Sequence, residues 1–316
     1  MIRLGLCCIF RKEPIKFRRT TAKHMAKFDR HAQLAHIAAL CGHNAQALLQ
    51  ALRFCRDHGI KAFRVNSQIL PLKTHPDAGY HIQDLPGYQE IIASFRMCGA
   101  FCLNNDIRTS LHPDQFILLS SPNPEVTRKS LAELVYQAEV AEWLCADVIN
   151  IHGGGAYGKK PEALQRLVKQ IKALPQAVRT RLTLENDDRV YTPRDLLPVC
   201  AETGTPLVYD VHHHRCLPDG LDVDKATELA LQTWQREPLF HLSSPLNGWD
   251  GKGINKHHDY INPRDFPKRW LGLDITVEVE AKAKELAVLQ LKQDLLDLYS
   301  QRNPKRGPKQ WKPKKS

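Results

Sequence analysis

Short apolar runs alternate with longer amphipathic stretches along this chain of 316 residues. Eight of the runs are predicted to be β-strands, at residues 2–7, 61–67, 107–113, 147–155, 181–187, 206–214, 238–244 and 274–282. Helices are predicted between nearly all of them, at residues 43–58, 87–102, 125–146, 161–177, 193–202 and 223–235, with a last helix ending near residue 299. Such alternation implies a parallel sheet, and eight units in one chain favour a closed barrel over a doubly wound sheet. We therefore predict an α/β fold, a single (β/α)8 TIM barrel.

The charge of the chain is concentrated at its C-terminus. Residues 301–316, QRNPKRGPKQWKPKKS, contain seven Lys/Arg and no acidic residue, so the formal net charge of +11 falls to +4 without them. This Pro-rich composition predicts a basic, disordered tail that follows one barrel domain at residues 1–300. The tail is suited to contacts with the phosphates of a polyanion, although a tail that only keeps the chain soluble has the same composition.

Nothing in the sequence indicates a membrane or secreted protein. No apolar stretch approaches the roughly 20 residues of a membrane span. The N-terminal run IRLGLCCIF is too short for a signal peptide and is followed at once by Arg11 and Lys12. The nine cysteines form no C-x-x-C pair and are expected to be reduced, mostly buried residues. A cytoplasmic location is therefore expected.

Imidazoles and carboxylates follow the apolar residues of the predicted strands. The stretch LVYDVHHHRC, residues 207–216, places Asp210 and His212 to His214 at the end of the sixth strand. The other residues of this kind, at or just after strand ends, are His75, His112, His152, Glu185, His241, His257, His258, Asp259, Glu278 and Glu280.

A solvated turn explains any one of these positions, but not the same pattern on six consecutive strands. The carboxyl ends of barrel strands meet at one mouth, so these side chains are expected to lie together, where divalent cations would relieve their repulsion. The number of ligands suits a cluster of two or three ions, which promotes phosphoester displacement. Glu185, on the middle strand of the set, is the predicted bridging ligand, and Asp210 and Glu280 would add negative charge.

Two glycine-rich motifs do not fit the chemistry they resemble. GGGAYGKK, residues 153–160, has Lys160 where a phosphate-binding loop requires Ser or Thr, so no nucleotide cofactor is expected. HGGG, residues 152–155, resembles an esterase oxyanion loop, but the chain has no G-x-S-x-G nucleophile motif. The glycines are interpreted as allowing the backbone to approach a bulky ligand.

Five motifs resemble the UV damage endonuclease family, in matching order from residue 2 to about residue 285. They are HPDQF (112–116), NIHGGGAYG (150–158), LENDDRVYTPRDLLPVC (184–200), LVYDVHHHRC (207–216) and EAKAKE (280–285). That family resembles the endonuclease IV barrels. The resemblance implies a manganese, magnesium or zinc cluster and strand cleavage 5′ to UV photoproducts, with abasic sites as further substrates. It also implies a monomer that acts on double-stranded DNA in the cytoplasm, at the nucleoid.

The resemblance assigns roles to individual residues. The implied metal ligands are His112, His152, Glu185, Asp210, His213, His241, His257 and Glu280. His75 is an implied catalytic residue together with Glu185. Gln115 and Phe116 match a pair that probes the lesion, although Phe116 as the first core residue of FILLS (116–120) is a simpler interpretation.

Several points stay open at the level of the sequence. The family pattern favours His213 without excluding His212 or His214, and His258 and Asp259 compete with His257. Leu239 stands where some members have lysine, and Leu6 where tyrosine is common, which affects the metal environment and the lesion contacts. A metal-dependent sugar isomerase on the same barrel is the alternative enzyme class. A non-catalytic nucleic-acid-binding protein would explain the tail but not the ligands.

Overall fold

The computed structural model describes residues 2–302, with side chains described for residues 2–298. The strands are β1 Ile2–Cys7, β2 Ala62–Val65, β3 Arg108–Leu111, β4 Val148–His152, β5 Leu182–Glu185, β6 Leu207–Val208, β7 Leu239–Leu242 and β8 Ile275–Val279. The helices are α1 Ala22–Met25, α2 Arg30–Asp57, α3 Tyr88–Asn104, α4 Pro124–Trp143, α5 Lys160–Ala173, α6 Gln176–Arg179, α7 Pro193–Thr203, α8 Val211–Cys216, α9 Val223–Gln232 and α10 Glu285–Arg302. Three 3-10 turns lie at Ile82–Asp84, Pro263–Asp265 and Lys268–Trp270.

The eight strands form one parallel sheet in the order β6-β5-β4-β3-β2-β1-β8-β7. The two edges, β6 and β7, meet just beyond the end of β6. There Asp210 pairs with His241 in an isolated parallel bridge, and His241 N–H donates to the carbonyl oxygen of Tyr209 at 3.1 Å. The predicted (β/α)8 barrel is confirmed, and its closure runs through two of the predicted ligands.

Part of the barrel interior beneath the ligands is apolar, although Arg108 on β3 and Thr276 on β8 form a hydrogen bond at the amino ends of the strands. Val148, Val208 and Leu239 share a strand face with the ligands His152, Asp210 and His241, because side chains on one face recur every second residue. Together with Trp234 these three residues form a small apolar cluster separate from the main core. Leu239, the departure from the family pattern, therefore belongs to an apolar floor beneath the site. A lysine there would need a polar partner.

The first long helix begins well before its predicted start at His43. It starts at Arg30, and its N-cap, Asp29, accepts a hydrogen bond from Ala32 N–H at 2.8 Å. The prediction was wrong because Gly42 interrupts the pattern, yet the buried residues Ile37 and Cys41 continue the same apolar face through it.

The last helix ends at Arg302, within the segment predicted as a tail, and the rest of that segment lies outside the described residues. No helix in the described part of the chain combines the length and apolarity that crossing a membrane requires. All nine cysteines are free, and six of them are buried, as expected from their apolar surroundings.

Candidate metal centre

Glu185, at the carboxyl end of β5, is the centre of the cluster at the barrel mouth. Its side chain is 1% exposed, and its two oxygens face different histidines. Oε2 lies 2.9 Å from His112 Nε2 and 3.9 Å from His152 Nε2. Oε1 lies 3.0 Å from His241 Nδ1 and 3.4 Å from His213 Nδ1. A carboxylate with nitrogen donors on both sides has the arrangement of a bridging ligand.

The histidines after β6 lie on a short helix rather than on the predicted strand. The strand ends at Val208, and Asp210 caps α8 by accepting a hydrogen bond from His213 N–H at 2.8 Å. Because successive helical residues are rotated by about 100°, the three rings point in different directions.

Only one of the three rings after β6 enters the cluster. His213 lies 3.4 Å from both Glu185 and Asp210. His214 is bound by Tyr209 Oη at 2.8 Å and by Asp219 Oδ1 at 3.0 Å. His212 is fully buried against Trp249, with ring centroids 5.3 Å apart. Its two ring nitrogens have no hydrogen-bond partner within the described residues.

Glu280, just beyond β8, forms the other side of the cluster. Its Oε1 lies 3.4 Å from His241 Nδ1 and accepts a hydrogen bond from Arg64 Nη1 at 2.6 Å. Its Oε2 lies 3.8 Å from His257 Nδ1. His258 is exposed and its ring contacts the backbone of Tyr260, and Asp259 is exposed as well. Of the three candidates in the loop after β7, only His257 faces the cluster.

The donors fit divalent cations. Three groups of side chains have ligand atoms within 4.8 Å of one another, namely His112, His152 and Glu185; Glu185, Asp210 and His213; and Asp210, His241 and Glu280. Three buried polar atoms in these groups, His152 Nδ1, Asp210 Oδ2 and His241 Nε2, have no hydrogen-bond partner in residues 2–302. Buried polar atoms rarely lack a partner. Imidazole nitrogen with carboxylate oxygen suits divalent transition metals.

The carboxylates of the cluster are held in their ionised form. Burial by itself would raise the pKa of Glu185, but His241 and His152 hold it well below its usual range. The same balance holds for Glu280, where Arg64 and His241 overcome the effect of burial on the pKa. Burial opposes a charged His241, but Glu185 and Glu280 bring the pKa of His241 well above its usual value. The carboxylates are thus in the state that binds a cation.

Residues one layer deeper in the barrel orient the ligands, and the sequence interpretation did not include them. Asn150 Nδ2 donates to Glu185 Oε2 at 2.6 Å, and Asn150 Oδ1 accepts from Thr183 Oγ1 at 3.0 Å. Asn150 and Thr183 precede His152 and Glu185 by two positions, so they lie on the same strand faces. That spacing is the signal that could have identified them.

Glu278 is a third buried residue of this deeper layer and, unlike Asn150 and Thr183, it is among the strand-end residues noted in the sequence. It is 1% exposed, and its Oε2 lies 3.1 Å from His241 Nε2, on the side of the ring opposite the cluster. It also accepts a hydrogen bond from Ser110 Oγ and lies 3.4 Å from Arg64 Nη1. His112 is fixed similarly, because its Nδ1 lies 3.1 Å from the carbonyl oxygen of Pro113 while Nε2 faces Glu185. Such outer contacts fix which ring nitrogen faces a metal.

His75 lies outside the network of contacts around Glu185. It is half-buried in the loop after β2, and its Nδ1 accepts hydrogen bonds from the N–H groups of Asp77 and Ala78, at 3.1 and 3.2 Å.

Gln115 and Phe116 lie in the turn after β3 and are exposed. The Phe116 side chain is 71% exposed, whereas Ile117 and Leu119 are buried. The interpretation of Phe116 as a core residue is therefore wrong.

The glycines after β4 make room for the protein's own side chains. A Cβ on Gly153 would lie 2.7 Å from the Tyr191 ring, and one on Gly154 would lie 2.5 Å from Ser120 Oγ. Gly154 also has a φ of +89°, which L side chains rarely adopt. Close packing within the protein, rather than a bulky ligand, explains these two glycines.

The fold and the side-chain cluster define a (β/α)8 barrel with a candidate metal centre at the carboxyl ends of its strands. The model of one family, described as UV-endonuclease UvdE, matches residues 2–312 of the chain. The UV DNA damage endonuclease of Bacillus velezensis is 33% identical over 318 residues, covering 96% of each chain. That of Bacillus pumilus is 34% identical over 277 residues, covering 84% of each. The chain therefore belongs to the UV-endonuclease family, and its enzyme class is endonuclease.

Solved structures agree with this assignment. The crystal structure of SacUVDE has a TM-score of 0.83 at 27% identity and covers 95% of this chain and 99% of its own. Endonuclease IV from Thermus thermophilus has a TM-score of 0.61 at 15% identity, with 95% and 99% coverage. An L-ribulose 3-epimerase has a TM-score of 0.60 at 13% identity, with 99% and 100% coverage. The last two similarities show the barrel fold alone.

Proposed function

We propose that this protein is a metal-dependent DNA repair endonuclease that nicks double-stranded DNA 5′ to UV photoproducts, and also at abasic sites, and so starts excision repair. The observation that supports this most strongly is the position of Glu185. Each of its oxygens faces two histidines, as a ligand shared by neighbouring ions would. Membership of the UV-endonuclease family supports DNA as the substrate and UV photoproducts as the lesion.

Eight side chains would hold a cluster of two or three divalent ions. They are His112, His152, Glu185, Asp210, His213, His241, His257 and Glu280. Five of the eight are histidines, a share that favours manganese or zinc over magnesium, and manganese is our first choice. When bound, such ions polarise the phosphate, activate water and stabilise the leaving 3′ oxygen.

The chain's own residues orient these groups and neutralise charge. Asn150 holds Oε2 of Glu185 in place through the 2.6 Å hydrogen bond. Arg64 donates to Glu280 and lies beside Glu278, so it offsets two carboxylates where they crowd together. Glu185 and Glu280 are therefore held in place before any ion or DNA arrives, which lowers the cost of assembling the site.

His75 is the proposed catalytic residue outside the ligand set. Its Nδ1 accepts two backbone N–H groups, so a neutral His75 carries its proton on Nε2. From the loop after β2 this proton is available to a phosphate oxygen at the mouth of the barrel.

Gln115 and Phe116 are the proposed lesion probe. An enzyme that acts on damaged bases must open the base stack, at a cost of a few kcal/mol that is lower where a lesion has already weakened stacking. The exposed Phe116 ring can stack in the opened duplex, and the Gln115 amide can pair with exposed base edges. Such a probe selects DNA by how easily it opens.

The test is nicking of UV-irradiated supercoiled plasmid by the purified protein, with manganese and with excess chelator. We expect nicking of irradiated plasmid only with metal, and little nicking of untreated plasmid. An end-labelled duplex with one photoproduct maps the cut to its 5′ side, and a matched abasic duplex tests that substrate. Equal activity in chelator, or equal cutting of undamaged DNA, would overturn the proposal. Sedimentation of the active protein tests whether it is a monomer.

A further inference from the structure

The connection between β1 and α2 contains an unusual concentration of positive charge. Residues 8–29, here called the β1–α2 segment, contain seven Lys/Arg and two acidic residues. The sequence interpretation assigned the basic character of the chain mainly to its C-terminus. Among connections from one strand to its helix, this one is also long and includes only the four-residue helix α1.

The segment lies on the same side of the barrel as the candidate metal centre. It leaves the carboxyl end of β1, and buried side chains at the start of α10 and within α2 hold its backbone. The carboxylate of Glu285, 1% exposed at the start of α10, accepts the N–H groups of Arg11 and Lys12 at 2.7 and 2.6 Å. The fully buried Asn44 accepts from Arg18 N–H at 2.7 Å and donates to the carbonyl oxygens of Arg18 and Ile69, at 3.0 and 2.9 Å.

These contacts involve the backbone of the segment, and the only hydrogen bond of its Lys/Arg side chains within the described residues is from Arg19 to Gln68, at 3.5 Å. All seven Lys/Arg of the segment are exposed, and no carboxylate among residues 2–302 lies within ion-pair distance of any of them. Some exposed cations on the outer helices do form ion pairs. Arg128 pairs with Glu125 at 2.8 Å, Lys172 with Glu202 at 2.7 Å and Lys225 with Glu228 at 3.2 Å. A rigid backbone that presents unpaired cations is arranged for an external anion.

Further cations connect the segment to the metal centre. A cavity of about 350 Å³ beside Glu280 and His257 is lined by Arg64, Lys256, Lys282 and Lys284, among others. Lys284 directly precedes Glu285, the residue that holds the segment. Positive charge therefore continues from the ligands, through this cavity, to the segment.

We propose that the β1–α2 segment is a DNA-binding surface that holds the backbone phosphates of the duplex flanking the cleavage site. The inference rests on the proposed function, because it takes duplex DNA as the partner. Phosphate contacts of this kind fix the position of a protein on DNA without reading its sequence. These contacts hold the duplex in place while Gln115 and Phe116, in the exposed turn after β3, contact the lesion. Because they involve only the phosphates, they bind damaged and undamaged DNA equally.

The test compares two triple variants that remove the same charge. The first is Arg18→Gln/Lys23→Gln/Lys27→Gln within the segment, where no hydrogen bond of these side chains is found in the described structure. The matched control is Arg53→Gln/Lys169→Gln/Lys172→Gln, three exposed cations in the C-terminal halves of α2 and α5, away from the mouth. Binding of a short undamaged duplex is measured by fluorescence anisotropy over a range of salt concentrations, and again with one photoproduct in the duplex.

We expect the segment variant to bind both duplexes about ten-fold or more weakly at physiological salt, with a log–log salt slope shallower by up to about 2.7. The control should bind as the wild type does. Each of the three single variants should reduce the slope by up to about 0.9, which keeps the test available if the triple variant does not fold. Equal behaviour of the two triple variants would overturn the proposal.

The outcome is separable from that of the proposed function. Binding of undamaged duplex needs neither cleavage nor metal, so a wild-type protein that fails to nick irradiated plasmid would refute the endonuclease proposal alone. An unchanged salt slope in the segment variant, with normal nicking by the wild type, would refute the binding surface alone.

Discussion

Glu278 offers the most direct test of how the barrel interior sets up the metal centre. Its carboxylate lies 3.1 Å from His241 Nε2, whereas His241 Nδ1 faces Glu185 and Glu280 at 3.0 and 3.4 Å. A carboxylate in this position favours a proton on Nε2 and leaves the lone pair of Nδ1 directed to the cluster. Glu278→Leu removes the carboxylate and its effect on the proton of His241, while the leucine side chain fills most of the space that the glutamate occupied.

The loss of such an outer contact typically weakens metal binding by about 10–100-fold, or about 1.4–2.8 kcal/mol. Glu278→Gln keeps an oxygen acceptor but loses its charge. Because the amide oxygen keeps part of the attraction for a proton on Nε2, we expect a smaller loss of manganese affinity than in the Glu278→Leu variant. The measurement is manganese affinity of the metal-free protein, by electron paramagnetic resonance of the free ion.

The matched control is Asp219→Asn, which alters an equivalent pair away from the cluster. His214 Nε2 lies 3.0 Å from Asp219 Oδ1, and the His214 ring is turned away from the ligands. This variant should bind manganese as the wild type does. A folded Glu278→Leu variant with wild-type manganese affinity would refute the reasoning, and circular dichroism checks the fold.

Four further predictions follow from the structure. Glu185→Ala should abolish nicking and weaken manganese binding while circular dichroism stays that of the wild type; near-normal turnover would exclude Glu185 from the site. Replacing Gln115 and Phe116 together by alanine should leave the metal content unchanged. It should weaken binding to damaged duplex by at least several-fold, since one stacking contact is worth about 1–3 kcal/mol. Normal cleavage of damaged duplex by this variant would show that the two residues do not take part in lesion recognition. Deleting residues 303–316, which contain six Lys/Arg, should reduce the log–log salt slope of DNA binding by up to about 5, and an unchanged slope would mean that they only aid solubility. Burial raises the pKa of Asp219, but its hydrogen bonds hold that pKa below its usual value. The ionised carboxylate therefore stabilises the folded protein above about pH 3.9, and this stabilisation is lost in stronger acid. Asp219→Asn should lower the melting temperature at neutral pH, and the melting temperatures of variant and wild type should converge as the pH falls.

The sequence determined the barrel because two independent periodicities agree throughout the chain. The strands contain short runs rich in buried apolar residues, and the helices between them show one apolar stripe, so each unit can be recognised locally. Polar residues at the ends of these strands, such as His112, His152 and Glu185, interrupt the apolar runs at equivalent points. Closure of the barrel then necessarily brings them to one mouth.

The sequence could not decide which neighbouring side chains face the cluster. The sequence does not distinguish His212, His213 and His214. Their side chains point in different directions because they lie on the helical turn capped by Asp210. The exposure of Phe116 likewise depends on a turn after β3 that directs Ile117, and not Phe116, to the core. Direction within a turn depends on backbone angles, which strand and helix periodicities do not specify.

Only the tertiary structure showed what supports the ligands and what surrounds them. Asn150 contacts Glu185, and Glu278 contacts His241, between neighbouring strands, whereas Ser110 on β3 reaches Glu278 on β8 across the barrel interior. The positive charge of the β1–α2 segment forms a surface only because Glu285, at the start of α10, and Asn44, within α2, hold the backbone of the segment in place. Local sequence encodes the strands and helices, because their hydrogen bonds and apolar faces repeat at short range. The partner of a buried polar group depends on the packing of the whole barrel, because only the closed barrel brings the two groups within hydrogen-bond distance.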